Sequence, residues 1–292
     1  MNQMEGKICM VTGANAGIGQ QTALELAQLG ATVVMVARDP QRGETARAAV
    51  ASATGSPRVD LLQADFAAPA SIRAMSEAFK ARYDRLDVLV NNAGVYLTQR
   101  QETAEGLEMT FAVNHLGYFM TTLLLWDRLL AAGSARVINL SSDAHRQARL
   151  NFDNLQNRGK YAGFRTYGQS KLANVLFTYE LDRRRGDAPV TVNAVHPGFV
   201  ASNFGRNNRG IVGLAMTRLV PLFAKSVAEG AATSVYLASS PEVAGVSGQY
   251  FANCRAVKSA PQSYDRAAAE RLWAISEELT GLRVPVLAHP VQ

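Results

Sequence analysis

Cysteine is scarce in this chain, with Cys9 and Cys254 the only two among 292 residues. Two thiols cannot build a disulfide framework, and without a CxxC pair there is no zinc-site signature. The four histidines, His115, His145, His196 and His289, share no ligand spacing. No uninterrupted apolar run approaches the ~18 residues that a bilayer-spanning helix requires. Residues 1–6 precede the first strand-like run and are too short a leader for a signal peptide. A GxSxG elbow, needed by a serine hydrolase of the α/β type, is missing as well. There is no internal repeat, low-complexity tract or Pro/Gly-rich linker, so residues 1–292 read as one domain. These absences describe a soluble, cytoplasmic protein without a metal site.

Charge is also sparse, at 18% of residues, while 48% are hydrophobic, which excludes disorder as the dominant state. Thirty Lys+Arg against 24 Asp+Glu leave a net charge of +6. The cations are scattered; the one dense run, Arg183-Arg184-Arg185, falls at the end of a predicted helix, where cations suit the dipole. Nucleic acid is therefore not an expected partner, whereas a phosphorylated small molecule remains compatible with the excess.

What the chain does have is alternation. Short β-branched runs at residues 7–12, 32–37, 59–63, 86–90, 136–140, 190–195 and 248–251 read as strands. Helical patterns fill residues 19–29, 41–53, 71–83, 106–132, 164–185, 227–238 and 264–279. Continuous apolar strands separated by helices predict a doubly wound, Rossmann-type, mostly parallel seven-stranded sheet with helices on both faces. Two irregular segments, 143–163 and 199–226, leave the carboxyl edge where such sheets bind ligands. The second is the expected substrate-binding loop. Phe164, Phe199, Phe204, Met216 and Leu219 are candidates for an apolar pocket. The tail, 281–292, is expected to be irregular and to cover the pocket mouth or a neighbouring subunit.

The first strand runs into Thr12-Gly13-Ala14-Asn15-Ala16-Gly17-Ile18-Gly19 and then a helix. Glycines allow a tight turn and close backbone approach to a pyrophosphate, and the helix start adds amide donors and a positive dipole end. The spacing is GxxxGxG rather than GxGxxG. The second strand ends Ala37-Arg38-Asp39. A carboxylate there would suit a free ribose hydroxyl and an arginine a 2′-phosphate, so Arg38 favours NADP(H) over NAD(H), with Asp39 the competing possibility.

Tyr167 and Lys171 lie four apart on a predicted helix and so share a face. A phenol with a pKa of ~10 is a poor base at neutral pH. A nearby ammonium favours the phenolate and would lower that pKa. Ser142 ends the fifth strand, where a hydroxyl can bind a carbonyl oxygen. Alone, YxxxK says little, since exposed Tyr/Lys pairs are common on helices. His145 sits in the 143–163 connection, where it could touch substrate; His115 and His196 read as structural.

In order, TGxxxGxG, Asn91-Asn92-Ala93-Gly94, Ser142, YxxxK and Pro197-Gly198 resemble the short-chain dehydrogenase/reductase family across residues 5–255. TGANAGIG, VNHLGYF, SKLANVLF and HPGFV look like its retinol dehydrogenase-like branch. The resemblance implies that Tyr167 exchanges a proton, Lys171 lowers its pKa and grips the nicotinamide ribose, and Ser142 orients the carbonyl. It implies that Asn114 kinks its helix and holds a water linking Lys171 to solvent. Gly13, Asn15, Gly17, Ile18 and Gly19 would line the pyrophosphate, and Asp65 and Phe66 would flank the adenine. Asn91, Ala93 and Gly94 would back the adenine ribose, with Pro197, Gly198, Val200 and Ser202 beside the nicotinamide. Two departures stand out: Ala16 occupies the place where many NADP-preferring members carry a basic residue, and 25 residues separate Ser142 from Tyr167. The implied activity is interconversion of a ketone or aldehyde and an alcohol, on a hydrophobic small molecule. The alternatives are reduction of an activated C=C bond, or a non-catalytic nucleotide sensor. The helices at 106–132 and 164–185 could supply a homodimer or homotetramer face.

Overall fold

The computed structural model describes residues 3–198 and 226–283. Its strands are β1 (Ile8–Thr12), β2 (Thr32–Ala37), β3 (Val59–Gln63), β4 (Val88–Asn91), β5 (Ala135–Leu140), β6 (Val190–His196), β7 (Gln249–Ala252) and β8 (Arg255–Val257). They form one sheet in the order β3-β2-β1-β4-β5-β6-β7-β8. Neighbours from β3 to β7 are parallel, and β8 returns antiparallel to β7. The eighth strand corrects the expected seven. Asn253 and Cys254 take φ of 51° and 57°, the left-handed pair that closes a two-residue hairpin, and cysteine is not a residue that announces such a turn.

Alternate strand residues feed opposite cores. Cys9 and Val11 of β1 join one cluster with Leu26, Val50 and Leu237, whereas Met10 joins another with Ile72, Phe79 and Phe119. The first face is covered by α1 (Gly17–Gln28) and α2 (Pro40–Thr54). The second is covered by α3 (Pro69–Lys80) and by a run of helix that the sequence reads as continuous over 106–132. That run is in fact divided. After α4 (Met109–Phe111) comes a π-helical turn, Ala112–Leu116, then α5 (Gly117–Leu124) and α6 (Trp126–Ala131). The long α7 (Gly163–Arg184) packs beside it, α8 (Val227–Ser239) returns to the first face, and α9 (Arg266–Thr280) ends the described chain.

Local chemistry sets most boundaries. Asp39 caps α2 by accepting from the Arg42 amide at 2.9 Å, with Pro40 in the first turn and Gly55 closing it at φ 64°. Ser226 and Glu229 form a reciprocal capping box on α8. Asp265 and Gly281 do the corresponding jobs for α9.

The last described helix, α9, packs on two of the helices from which an intersubunit face was expected. Trp273 stacks on Phe177 of α7 at 5.9 Å and meets Phe119 of α5 edge-on at 5.1 Å. Leu272 and Ala269 join Leu172 and Leu176 of α7. The face around Phe119 and Phe177 is thus covered by α9 of the same chain. No helix among the described residues is long and apolar enough to cross a membrane.

Candidate active site

Because β1, β4, β5 and β6 are consecutive in the parallel sheet, their carboxyl ends line one edge. The edge is tied together by Thr12. Its hydroxyl accepts from the amides of Asn92 and Ala93 at 2.9 and 3.0 Å, and the Asn92 side chain donates to the Thr12 carbonyl at 2.7 Å. These bonds bring the β1 and β4 loops into contact. At Gly13, whose φ is 65°, a Cβ would lie 2.8 Å from the Ala93 Cα. At Gly19 a Cβ would lie 2.4 Å from both the Asn92 Nδ2 and the Gly13 carbonyl. Both glycines are therefore required by close approach, and Gly13 by its left-handed conformation as well.

This cradle fits a dinucleotide pyrophosphate. The residue preceding α1, Ala16, supplies no side-chain cap, so the first amides of that helix are left for an anion. Asn15, Gly17 and Ile18 are half-buried along the loop. Arg38 is exposed, and among the described residues its guanidinium makes no hydrogen bond or ion pair, whereas Asp39 is committed to capping α2. Asp65 caps its own turn through the Ala67 amide, and Phe66 packs against the bare face of Gly117. Asn91 does not present its side chain to the crevice. Its Nδ2 donates to Thr122 Oγ1 at 2.9 Å and to Asn139 Oδ1 at 2.8 Å, inside the sheet–helix layer. Ala93 is buried, Gly94 exposed, and Pro197 and Gly198 follow β6 on the same edge. Val200, Ser202, Phe199, Phe204, Met216, Leu219 and nearly all of the 199–226 segment lie outside the described residues, as does the tail from 284.

Ser142, Tyr167 and Lys171 converge next to this cradle. Ser142 follows β5 in extended conformation, its Oγ accepts from the Ala144 amide at 3.3 Å, and its hydroxyl is hydrogen-bonded with Tyr167. Lys171 is buried; its Nζ donates to the Leu140 carbonyl at 3.0 Å and lies 5.7 Å from the Tyr167 ring centre and 5.6 Å from that of Tyr118. Burial lowers the Lys171 amine to about 7 and pushes the Tyr167 phenol well above its ordinary range, with the Ser142 bond partly opposing. The expected depression of the phenol is therefore not found. It requires a fully charged ammonium, and desolvation leaves Lys171 charged only part of the time at neutral pH. The arrangement holds a protonated phenol beside a serine hydroxyl.

Residues 7–210 match the short chain dehydrogenase family model. The chain belongs to the short-chain dehydrogenase/reductase family. Within it the similarity is to the retinol dehydrogenases. The chain is 41% identical to retinol dehydrogenase 12 of Mus musculus over 96% of its length and 88% of that protein's. It is 44% identical to retinol dehydrogenase 13 of Homo sapiens, with 96% and 86% covered. A solved structure from Mycobacterium paratuberculosis superposes with a TM-score of 0.78 at 31% identity, covering 97% of this chain and 96% of that one. The Pseudomonas aeruginosa RhlG/NADP complex superposes with a TM-score of 0.68 at 26% identity, covering 86% and 96%. Membership makes this a hydride-transfer oxidoreductase of alcohols and carbonyls.

Other short-chain dehydrogenase positions act indirectly. Asn114 sits at the centre of the π-helical turn, which is the kink expected of it. Both ends of its amide are engaged: Oδ1 accepts from the Val95 amide at 2.7 Å, and Nδ2 donates to the Val95 carbonyl at 3.0 Å and to Ser170 Oγ at 2.9 Å. The side chain thus clamps the β4 loop to α7. His145 is fully buried, with both ring nitrogens bonded within the protein, and does not reach a substrate space. Phe164 is 58% exposed at the start of α7.

The sequence reading missed Gly168 and Tyr96. A Cβ at Gly168 would sit 2.8 Å from the Ala144 carbonyl, so only glycine lets α7 approach the turn that carries Ser142. The signal was in plain sight, one residue after Tyr167. Tyr96 meets Tyr167 edge-to-face at 5.8 Å and forms an aromatic wall beside the phenol. Nothing in the sequence around Tyr96 marks that contact.

Proposed function

We propose that this protein reduces a ketone or aldehyde to an alcohol with NADPH, using Tyr167 as the proton donor and Ser142 as the oxygen-binding hydroxyl. The observation that carries the reading is the hydrogen bond between Ser142 and the half-buried Tyr167, one turn before the buried Lys171. A phenol that keeps its proton at neutral pH is equipped to give it to an oxygen gaining negative charge. Ser142 would hold that oxygen in place and share its charge. Lys171, with a pKa of about 7, can return a proton to Tyr167 after turnover. Asn114 holds α7 to the β4 loop, which keeps Tyr167 facing the crevice. When bound along the glycine loop, the nicotinamide cofactor supplies the hydride.

Preference for NADP(H) is supported by the exposed Arg38 and by the use of Asp39 as a helix cap, which removes the carboxylate that a free ribose hydroxyl would need. A structural neighbour solved with NADP is consistent with that preference. An apolar carbonyl compound is the expected substrate, with retinal the first candidate because the chain is similar to retinol dehydrogenases.

The test is nicotinamide absorbance with NADPH and a panel of all-trans-retinal, an aromatic ketone, an aliphatic aldehyde and an enone reducible at C=C. Carbonyl reduction is expected. Tyr167→Phe should lower turnover about 10³-fold, within the range for a lost general acid, while NADPH affinity stays within about twofold. Unchanged turnover in that variant removes Tyr167 from the role. Reduction of only the enone C=C bond would establish the rival chemistry, and an inert intact protein the nucleotide-sensing one.

A further inference from the structure

We infer that His145 is a positioning residue for Ser142, fixing the serine turn by bridging it to the backbone of Ala260. The inference rests on the reading of Ser142 as the oxygen-binding group.

Ser142 opens a short 3-10 turn, Asp143–Gln147, and its carbonyl accepts twice from His145: from the backbone amide at 3.0 Å and from the ring Nδ1 at 2.7 Å. The opposite ring nitrogen, Nε2, receives the Ala260 amide at 3.0 Å. A backbone N–H can only donate and a carbonyl can only accept, so the pattern fixes one tautomer: Nδ1 carries the proton and Nε2 carries a lone pair. The ring is fully buried, which opposes charging it, and Tyr250 packs against it at 4.8 Å. The same turn is held at its far end by Gln262, whose Nε2 lies 3.2, 3.0 and 2.8 Å from the carbonyls of His145, Arg146 and Ala148.

Residues 260–262, more than a hundred positions downstream, therefore grip the turn, and His145 carries that grip to the residue that matters. No hydrogen bond from the rest of the sheet replaces the Nδ1 contact at the Ser142 carbonyl among the described residues. Without it, the 3-10 amide bond alone holds that carbonyl, and Ser142 gains freedom to rotate its hydroxyl away from Tyr167. Positioning of this kind acts on turnover more than on cofactor binding, because the glycine loop lies on the other wall.

Two substitutions separate the ring's halves. In His145→Asn, Nδ2 falls near the place of Nδ1 and keeps the bond to Ser142, losing that to Ala260. In His145→Gln, Oε1 reaches the place of Nε2 and keeps the Ala260 bond, losing that to Ser142. Each is measured with NADPH and the best carbonyl of the panel, alongside Ser142→Ala and the Ser142→Ala/His145→Gln double variant. Expected is a kcat loss of about 10-fold or more for His145→Gln, at most about 3-fold for His145→Asn, and unchanged NADPH affinity in both. In the Ser142→Ala background, His145→Gln should cost no further turnover.

Equal losses in the two single variants, or an additive loss in the double variant, overturns the inference. An impaired Ser142→Ala beside an unimpaired His145→Gln does so too. If Ser142→Ala itself turns over normally, it is the reading of Ser142 that fails. Should either variant not fold, 15N spectroscopy of histidine in the wild-type protein gives the answer. A ring whose Nε2 couples to the Ala260 amide and whose Nδ1 carries the proton is expected, and a proton on Nε2 overturns the bridge.

Discussion

Thr12 and His145 each join two segments through one side chain, on opposite walls of the same crevice. Thr12 receives two amides from the loop of an adjacent parallel strand, so its partners are delivered by the sheet register itself. His145 reaches a segment that no strand pairing with β5 places there, and its bond partner lies in the chain beyond β6, β7 and β8. The nucleotide wall is thus held by neighbours in the sheet, and the substrate wall by a distant return of the chain. The first wall can be recognised as a motif; the second is invisible to one.

The two walls should fail differently. Gly19→Ala on the nucleotide wall forces a methyl to 2.4 Å from two polar atoms and is expected to lower NADPH affinity at least ~100-fold, with a fall in Tm of several degrees. Gly168→Ala pushes α7 away from the Ala144 carbonyl and should instead lower kcat about 10-fold with NADPH affinity kept. Isothermal titration and steady-state kinetics on the pair would show it. A Gly168→Ala variant that loses cofactor binding and not turnover would erase the distinction.

His115 gives an effect on stability that depends on neither wall. It is buried behind the site, its Nε2 bonded with Ser276 Oγ at 2.9 Å, and burial holds its pKa near 3. The unfolded chain takes up a proton as pH falls through ~6.5, whereas the folded protein does not until about 3. Stability therefore declines across that window on acidification, by roughly 2 kcal/mol at pH 5 from this residue. His115→Phe, set among Phe111 and Phe177, should flatten the Tm profile between pH 6.5 and 4.5. An unchanged acid slope refutes the assignment.

The last effect is expected at the ribose end of the nucleotide wall and touches cofactor preference alone. Arg38→Ala should cut the preference for NADPH over NADH by about 10-fold, about 1.4 kcal/mol, while leaving NADH affinity nearly constant. Equal affinities for the two cofactors in the unsubstituted protein would remove the basis of that preference.

Much of this was legible beforehand. Residues 164–185 predicted a helix and α7 spans Gly163–Arg184. The helices expected at 41–53 and 264–279 fall within two residues of α2 and α9, whose ends are set by Asp39, Gly55 and Asp265 through chemistry that acts within four residues. The convergence of Ser142 with Tyr167 and Lys171 was likewise readable, through their order along the chain and the parallel sheet that order implies. Asn91 was misread because its identity serves Thr122 and Asn139, which lie far along the chain. The break in the helix at residues 106–132 was carried only by the resemblance, through Asn114; periodicity does not register it, because Asn114 bonds the Val95 backbone, a partner in a distant loop.

Sequence alone determined which residues have the chemistry: a phenol and an amine one helical turn apart, a hydroxyl at a strand end, glycines where a backbone must come close. Those are local facts of spacing and side-chain type. Only the tertiary structure decided their protonation. Burial raises Tyr167 and brings Lys171 to about 7, and it holds His145 in one neutral tautomer. The free energy of a charge depends on everything packed around it, and that surrounding exists only in the folded chain.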